Sequence, residues 1–237
     1  MRHALIFAAG RGERMRPLTD TTPKPLLLAG GKPLIVWHLE KLAAAGVNYV
    51  VINTSHLAGQ FPAALGDGSR WGLRIRYAYE GDEPLETGGG LLNALPLLGN
   101  APFIAISGDI WSDADFTTLP LEPAGLAHLL LVDNPPHHPD GDFALDAQGL
   151  VHDTGTARLT FSGIGVYRPQ LLRNWRDAAD AAQTHPPRFK LAPLLRAAMA
   201  GAAVSGIHFR GTWTDVGTPQ RLRQLEQALA SAQGPPL

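Results

Sequence analysis

The stretch "ALIFAAGRGERMRPLTDTTPKPLL" (residues 4–27) decides how the chain is to be read. Six residues without a polar side chain, 4–9, read as a strand buried on both faces. They run straight into a loop that holds Gly10, Gly12, Arg11, Arg14, Arg16, Lys24 and three prolines. Glycine lets backbone N–H groups converge on an anion, and arginine can fork across phosphate oxygens. Pro23 and Pro25 are expected to hold the backbone of Lys24 extended between them. The loop is no dinucleotide fingerprint, because Met15 stands at the third glycine position, and no phosphate loop of the Gly-Lys-Ser/Thr kind. A phosphate cradle and a merely solvated basic loop both remain possible on these residues alone.

Further along, apolar runs and helical spacing alternate. "YVVINT" (49–54), "FIAISG" (103–108) and "HLLLVD" (128–133) read as more buried parallel strands. Between them lie "PLIVWHLEKLAAAG" (33–46) and "GGGLLNALPLLG" (88–99), with apolar residues at helical spacing. Pro33 opens the first of these and Gly46 follows its end, the usual asymmetry of helix caps. Alternation of this kind implies right-handed crossovers and a parallel α/β sheet, whose ligand crevice opens beyond the carboxyl ends of the strands. The glycine–arginine loop then stands at the mouth of that crevice.

The second half is less regular. "DNPPHHPDGDFALDAQG" (133–149) reads as a surface excursion leading into a short hairpin. A strand "LTFSGIGVY" (159–167), a polar-faced helix from Pro169, an Ala/Leu-rich helix over 189–201 and a strand into "GTWTDVGTP" are expected next. Thr218 and Pro219 are the N-cap and first residue of a closing helix. No repeat or linker breaks the chain, so a single domain over 1–237 is the simplest organisation.

Composition narrows the partners. With 237 residues, 45% of them hydrophobic, the chain can bury a sizeable core. A net charge of -1 gives no general attraction to nucleic acid or to an anionic membrane. The absence of cysteine excludes disulfides, thiolate metal sites and a cysteine nucleophile. No signal segment or long apolar span is visible, which predicts a cytoplasmic protein.

The opening loop, together with "LETGGGLLNAL" (85–95), "ISGDIW" (106–111), "FSGIGVY" (161–167) and "WTDVGTP" (213–219), resembles the sugar-1-phosphate nucleotidyltransferases over nearly the whole chain. The resemblance implies a Rossmann-like, mostly parallel mixed sheet flanked by helices, with a small inserted β-hairpin on the sugar side. It implies that Gly10, Arg11, Gly12, Glu13 and Arg14 hold a triphosphate, with Lys24 against the phosphate at which substitution occurs. Ala8, Gly10, Thr87, Gly88 and Gly108 would line the nucleotide, with Glu80 at the edge of the base. Asn134, Asp142 and Gly163 would meet the sugar. The resemblance also gives Asp109 and Asp215 as ligands of one Mg2+. The sequence supports Asp215 independently, since Thr218 already caps the closing helix and leaves that aspartate free. His137 and His138 read as a solvated loop, and Lys190 as a surface lysine.

Many relatives carry an acidic and a basic residue before the "GIGVY" strand; here Arg158 is the only cation of "HDTGTARLTFSG" (152–163). Sugar recognition is therefore expected to be unusual. The segments quoted are most similar to compact members that join UTP to N-acetylmuramate 1-phosphate in cell-wall recycling. Transfer from GTP to mannose 1-phosphate is the alternative, and a catalytically silent regulatory relative is disfavoured by Lys24, Asp109 and Asp215 all being present.

Overall fold

The computed structural model describes residues 2–178 and 184–233. In chain order its strands are β1 (Arg2–Phe7), β2 (Leu28–Ala29), β3 (Lys32–Pro33), β4 (Val47–Thr54), β5 (Arg74–Tyr79), β6 (Phe103–Ser107), β7 (Ile110–Ser112), β8 (Ala127–Val132), β9 (Phe143–Leu145), β10 (Val151–His152), β11 (Arg158–Tyr167), β12 (Val204–His208) and β13 (Trp213–Asp215). The helices are α1 (Leu18–Thr21), α2 (Leu34–Ala44), α3 (Gln60–Leu65), α4 (Glu86–Leu98), α5 (Trp175–Ala178), α6 (Ala192–Ala200) and α7 (Pro219–Gln233).

β1 is an interior strand, with β4 and β6 parallel on either side and β5 parallel beyond β4. Alternate residues of these strands point to opposite faces, and both faces are covered. Ala4, Ile6, Val50, Ile52, Ile104 and Ile106 pack with α2 and α3, whereas Leu5, Val51 and Ala105 pack with α4 and α6. That double burial explains the unbroken apolar runs of the sequence.

The sheet is mixed, as the resemblance implied, because β11 runs antiparallel to β6. "HLLLVD", expected among the parallel strands, enters as β8: it is antiparallel to β11 and parallel only to β12. β11 bends where its register with β8 shifts between Phe161 and Gly165, and Gly163 sits in that bend at φ +80°. Its first residues pair instead with β9, which forms the expected hairpin with β10. β5 was not expected from the sequence. Arg74, Arg76 and Tyr79 are exposed on this edge strand and interrupt its buried residues, so it lacks an apolar run.

Other local expectations change. Lys24 opens a tight 3-10 turn, Lys24–Leu26, closed by the N–H of Leu27 on the Lys24 carbonyl at 3.1 Å; proline on both sides does not keep it extended. The helix from Pro169 is a 3-10 turn followed by α5, and residues 179–183 of that stretch lie outside the described residues. α6 starts at Ala192 rather than at residue 189, because the Phe189 carbonyl accepts the N–H groups of Gly88 and Gly89 instead of starting a helix. Thr218 does cap α7, its Oγ1 accepting from the N–H of Arg221 at 3.3 Å. α7 then packs Leu222, Leu225 and Leu229 against Met15 of the opening loop and Val216, which clamps the two ends of the chain together. No helix among the described residues is long and apolar enough to cross a membrane.

Beneath β7, the buried His38 of α2 donates its Nε2–H to the carbonyl of Ile110 at 3.0 Å. Burial pushes its pKa down to about 4, helped by Lys41 and opposed by the Ile110 hydrogen bond and Asp109. The unfolded chain takes up this proton below about 6.5 and the folded chain does not, so stability drains away as pH falls from about 6.5 towards 4. The loss amounts to about 3 kcal/mol if the whole shift is expressed. Glu80, whose carboxyl is pushed up by burial, contributes with the opposite sign in the acid range. Urea midpoints at pH 7 and pH 4.5 should therefore diverge less for His38→Gln than for the wild type, a comparison in which Glu80 cancels. Equal acid losses in both proteins would mean that His38 is not held neutral.

Candidate active site

The carboxyl ends of β1, β4 and β6 lead directly into Ala8, Ser55 and Gly108, and a crevice opens there. It has a first lobe of about 860 Å³ and a second of about 550 Å³. Phe7, Arg14, Thr87 and Ser107 line both, so the lobes meet at those side chains.

The first lobe is built on the glycine loop. Gly12 is left-handed at φ +65°, and its carbonyl accepts from Met15 N–H at 2.8 Å and from the Thr19 hydroxyl at 2.9 Å. This winds Glu13–Met15 into one 3-10 turn, with Arg14 exposed and Met15 buried beneath it. A Cβ on Gly10 would meet nothing within 4 Å, so its missing side chain keeps the lobe open rather than relieving a clash. Arg11 and Glu13 also line this lobe, the Arg11 guanidinium donating to the Asp82 carbonyl at 3.1 Å.

The lobe floor is a chain of buried hydrogen bonds. Ala8 N–H donates to Asn53 Oδ1 at 2.6 Å, Asn53 Nδ2 donates to Glu80 Oε1 at 2.6 Å, and Glu80 Oε2 accepts from Leu85 N–H at 2.8 Å. Burial raises the Glu80 carboxyl, and the Leu85 and Asn53 contacts partly offset it. Glu80 is thus tied to the protein through both oxygens, a floor anchor as well as a lining group.

The "GGG" run departs from expectation. Bare backbone there does not face the crevice: a Cβ on Gly88 would fall 2.4 Å from the Phe189 ring, one on Gly89 2.4 Å from the Pro187 carbonyl, and one on Gly90 2.4 Å from Glu80 Oε1. The glycines admit other parts of the chain, and the Gly88 N–H is spent on Phe189 at 2.8 Å. Thr87 does line both lobes, while its Oγ1 holds the Leu191 N–H at 2.9 Å. Gly108 works the same way, its N–H bonded to the Phe7 carbonyl at 2.8 Å where a Cβ would lie 2.7 Å away.

Lys24 is buried, and its Nζ lies 2.6 Å from Asp109 Oδ2, tying the opening loop to the end of β6. A lysine taken so far out of water needs such a partner. Asp215 is far from Asp109 in sequence, yet the β7–β13 ribbon unites them: Asp215 pairs with Ile110, and Val216 N–H donates to the Asp109 carbonyl at 2.8 Å. Asp215 is not free, as the capping argument had implied. Its Oδ1 lies 2.7 Å from Arg221 Nη1 and 2.9 Å from His137 Nε2. His137 is accordingly part of the site and not of a merely solvated loop.

The second lobe takes in Asp142, Gly163 and Asp215. Asp142 Oδ2 accepts from Phe161 N–H at 2.8 Å and its Oδ1 lies 3.1 Å from His138 Nε2. Gly163 comes so close to Ser107 that a Cβ would lie 2.6 Å from its hydroxyl. Asn134 does not reach the lobe. Its amide donates to the carbonyls of Pro139 and Arg158 at 3.0 Å each and its oxygen accepts from Thr160, so it fastens the loop. Arg158 is likewise turned onto the Asp142 carbonyl and does not line the lobe. Lys190 is exposed, as expected.

Sequence reasoning missed Asn53, Arg188, Arg196 and Arg221. Asn53 was detectable in principle, as the polar residue near the carboxyl end of an apolar strand. Arg188 lines the first lobe and Arg196 the second from segments whose placement no local pattern encodes.

A family model described as nucleotidyl transferase matches residues 3–123. The chain is 50% identical over 236 residues to the N-acetylmuramate alpha-1-phosphate uridylyltransferase of Neisseria meningitidis serogroup B, covering 97% of this chain and 98% of that one. It is 34% identical over 244 residues to the protein of the same name from Caulobacter vibrioides, covering 97% of each. A mannose-1-phosphate guanylyltransferase of Mycobacterium tuberculosis is 41% identical over 116 residues, covering 49% of this chain and 32% of that one. Among solved structures, a glucose-1-phosphate thymidylyltransferase from Bacillus anthracis superposes with a TM-score of 0.82 at 20% identity, covering 97% of this chain and 95% of that one, and so shares the fold.

Two glycines separate packing from binding. Gly88→Ala must displace an aromatic ring and a carbonyl, and should lower stability by about 1–3 kcal/mol in urea unfolding. Gly10→Ala meets no protein atom and should stay within about 0.5 kcal/mol of the wild type, while its methyl intrudes on the first lobe and weakens nucleoside triphosphate binding in calorimetric titration. Unchanged binding by Gly10→Ala would remove that glycine from the nucleotide site.

Proposed function

The chain belongs to the nucleotidyl transferase family, and on that premise we propose that it transfers UMP from UTP to N-acetylmuramate 1-phosphate, with Mg2+, releasing pyrophosphate. The observation that carries this reading is the pair of lobes meeting at Arg14, with Lys24 and Asp109 in the first and Asp215 in the second. One lobe suits a nucleotide and the other a sugar, and their junction suits the phosphates of both. The choice of sugar is supported by the two uridylyltransferases that match this chain over nearly their full length, whereas the guanylyltransferase matches about a third of its own. A sugar of this kind arises from cell-wall turnover, which implies recycling in the cytoplasm.

The reaction is an in-line displacement. An oxygen of the sugar 1-phosphate attacks the α-phosphorus of UTP, the new P–O bond forms, and the bond to the β-phosphate bridging oxygen breaks to release pyrophosphate. A phosphate monoester is already ionised near neutral pH, so no protein base is needed, and the work is positioning and charge stabilisation. Lys24, rigid in its buried turn, neutralises charge at the α-phosphate. Arg14 stands at the junction and steadies the leaving pyrophosphate. The donors present fit a divalent cation: among the described residues Asp109 uses only Oδ2 and Asp215 only Oδ1 on the chain's own partners. No cluster of three or more acidic or histidine ligands occurs among the described residues, in keeping with an ion held by few carboxylates plus phosphates and water. Mg2+ bound by Asp109 and Asp215 would supply Lewis-acid stabilisation of phosphate charge.

A matrix of nucleoside triphosphates against sugar 1-phosphates, scored by pyrophosphate release with Mg2+, tests the reading. UTP with N-acetylmuramate 1-phosphate should give the highest kcat/KM; a preference for GTP with mannose 1-phosphate would replace it, and no turnover anywhere would end it. Lys24→Met, close in volume, should fold and lose at least about tenfold in kcat, since one charge-assisted contact made in the transition state is worth more than about 1.4 kcal/mol. Asp109→Asn and Asp215→Asn should each nearly abolish turnover, and the double variant should be little worse than either alone because both serve one cation. Multiplicative losses would separate their roles.

A further inference from the structure

The second lobe contains a permanent positive charge that the reaction chemistry leaves unused. Arg196, on α6, lines this lobe with Ala192 and Leu195 of the same helix. Its Nε is held by Asp153 Oδ1 at 2.7 Å, and its side chain is 49% exposed. Among the described residues the contact uses the inner nitrogen alone, which leaves the two terminal amino groups of the fork to a ligand.

The other cations lining the lobe are otherwise occupied. His137 is engaged with Asp215 and Arg221, and His138 with Asp142. Arg14 belongs to the junction through which phosphates must pass. Arg158, the cation that the sequence offered for sugar recognition, is directed to the Asp142 carbonyl and does not line the lobe. The same lobe also has apolar walls: Leu195, next to Arg196 in the chain, and Phe143, of the same core cluster as Leu195, both line it and are otherwise buried. A cationic fork next to an apolar patch matches a substituent that carries a carboxylate and a methyl on one carbon. The 3-O-lactyl ether of N-acetylmuramate is such a substituent, and the corresponding N-acetylglucosamine has a bare hydroxyl there.

We propose that Arg196 is the specificity-determining residue that receives the lactyl carboxylate of the sugar, with Leu195 and Phe143 taking its methyl. The inference rests on the proposed function and assigns to this chain the group by which it separates two otherwise identical sugars. Asp153 fixes Nε and so orients the fork without touching the sugar.

The test compares kcat/KM for N-acetylmuramate 1-phosphate and N-acetylglucosamine 1-phosphate, both with UTP, in the wild type, Arg196→Ala, Arg196→Lys and Asp153→Ala. In the wild type the ratio should favour the muramate by about tenfold or more. Arg196→Ala should remove most of that ratio through KM, Arg196→Lys should restore part of it, and Asp153→Ala should cost less than Arg196→Ala. Circular dichroism melting checks that each variant is folded. Absence of turnover by the wild type with either sugar would bring down the proposed function itself. Turnover of the muramate whose preference survives Arg196→Ala, or a wild type with no preference, would overturn the assignment of Arg196 and leave that function standing.

Discussion

Everything in this structure hangs on one constraint: β1 is parallel to both of its neighbours and covered on both faces. Because β4, β1 and β6 run the same way, their carboxyl ends emerge side by side, and the residues just past them have no further ladder to join. Asn53 near the end of β4, Gly108 just past β6 and the start of the glycine loop are brought together by that geometry. Gly108 N–H carries the β1–β6 ladder one step past the last pair by bonding the Phe7 carbonyl, and Ala8 N–H turns to the Asn53 side chain instead of to a backbone. Buried backbone groups must find partners, and these partners shape the crevice floor.

The same constraint explains how far the sequence could be read. A strand buried on two faces has to be apolar throughout, so β1, β4 and β6 stand out in the sequence; β5, at the sheet edge with its arginines in water, does not. The glycine loop was legible because its conformation is local. Gly88, which the resemblance placed against the nucleotide, shows the limit of such a reading, since a glycine tolerates the approach of a ligand or of the chain itself equally well, and around the "GGG" run Phe189, Pro187 and Glu80 fill the space. Asp109 and Asp215 were readable from motif, but the Arg221 and His137 that hold Asp215 were not. Arg221 sits where a helix-capping pattern is satisfied by its backbone, and nothing in that pattern says where its side chain points.

Asn134 and Arg158 show the converse. Both are polar residues in the segment where a sugar was expected, and both are consumed in holding that segment together. A loop rich in Pro, Gly and Asp needs side-chain hydrogen bonds to fix its path, because it has few backbone ones. Residues at its base are therefore taken up by the loop, while those projecting from a neighbouring rigid helix, such as Arg196 on α6, stay available.

The charges of the crevice follow from the need to remain folded when no ligand is bound. Lys24 is buried and Asp215 largely so, and each would carry a desolvation penalty of several kcal/mol if left alone. Pairing Lys24 with Asp109, and Asp215 with Arg221, removes that penalty within the chain. On the proposed reading, the side-chain cations that meet phosphate, Lys24 among them, are held in place before phosphate arrives, in a chain whose net charge is only -1. A triphosphate entering the first lobe then competes with carboxylates for cations already in position, an exchange of partners that needs little movement. For the proposed reaction, which uses no protein nucleophile and no protein base, such preorganisation would be the main resource, because donors fixed in advance do not have to be reoriented as charge shifts from the α-phosphate to the leaving group.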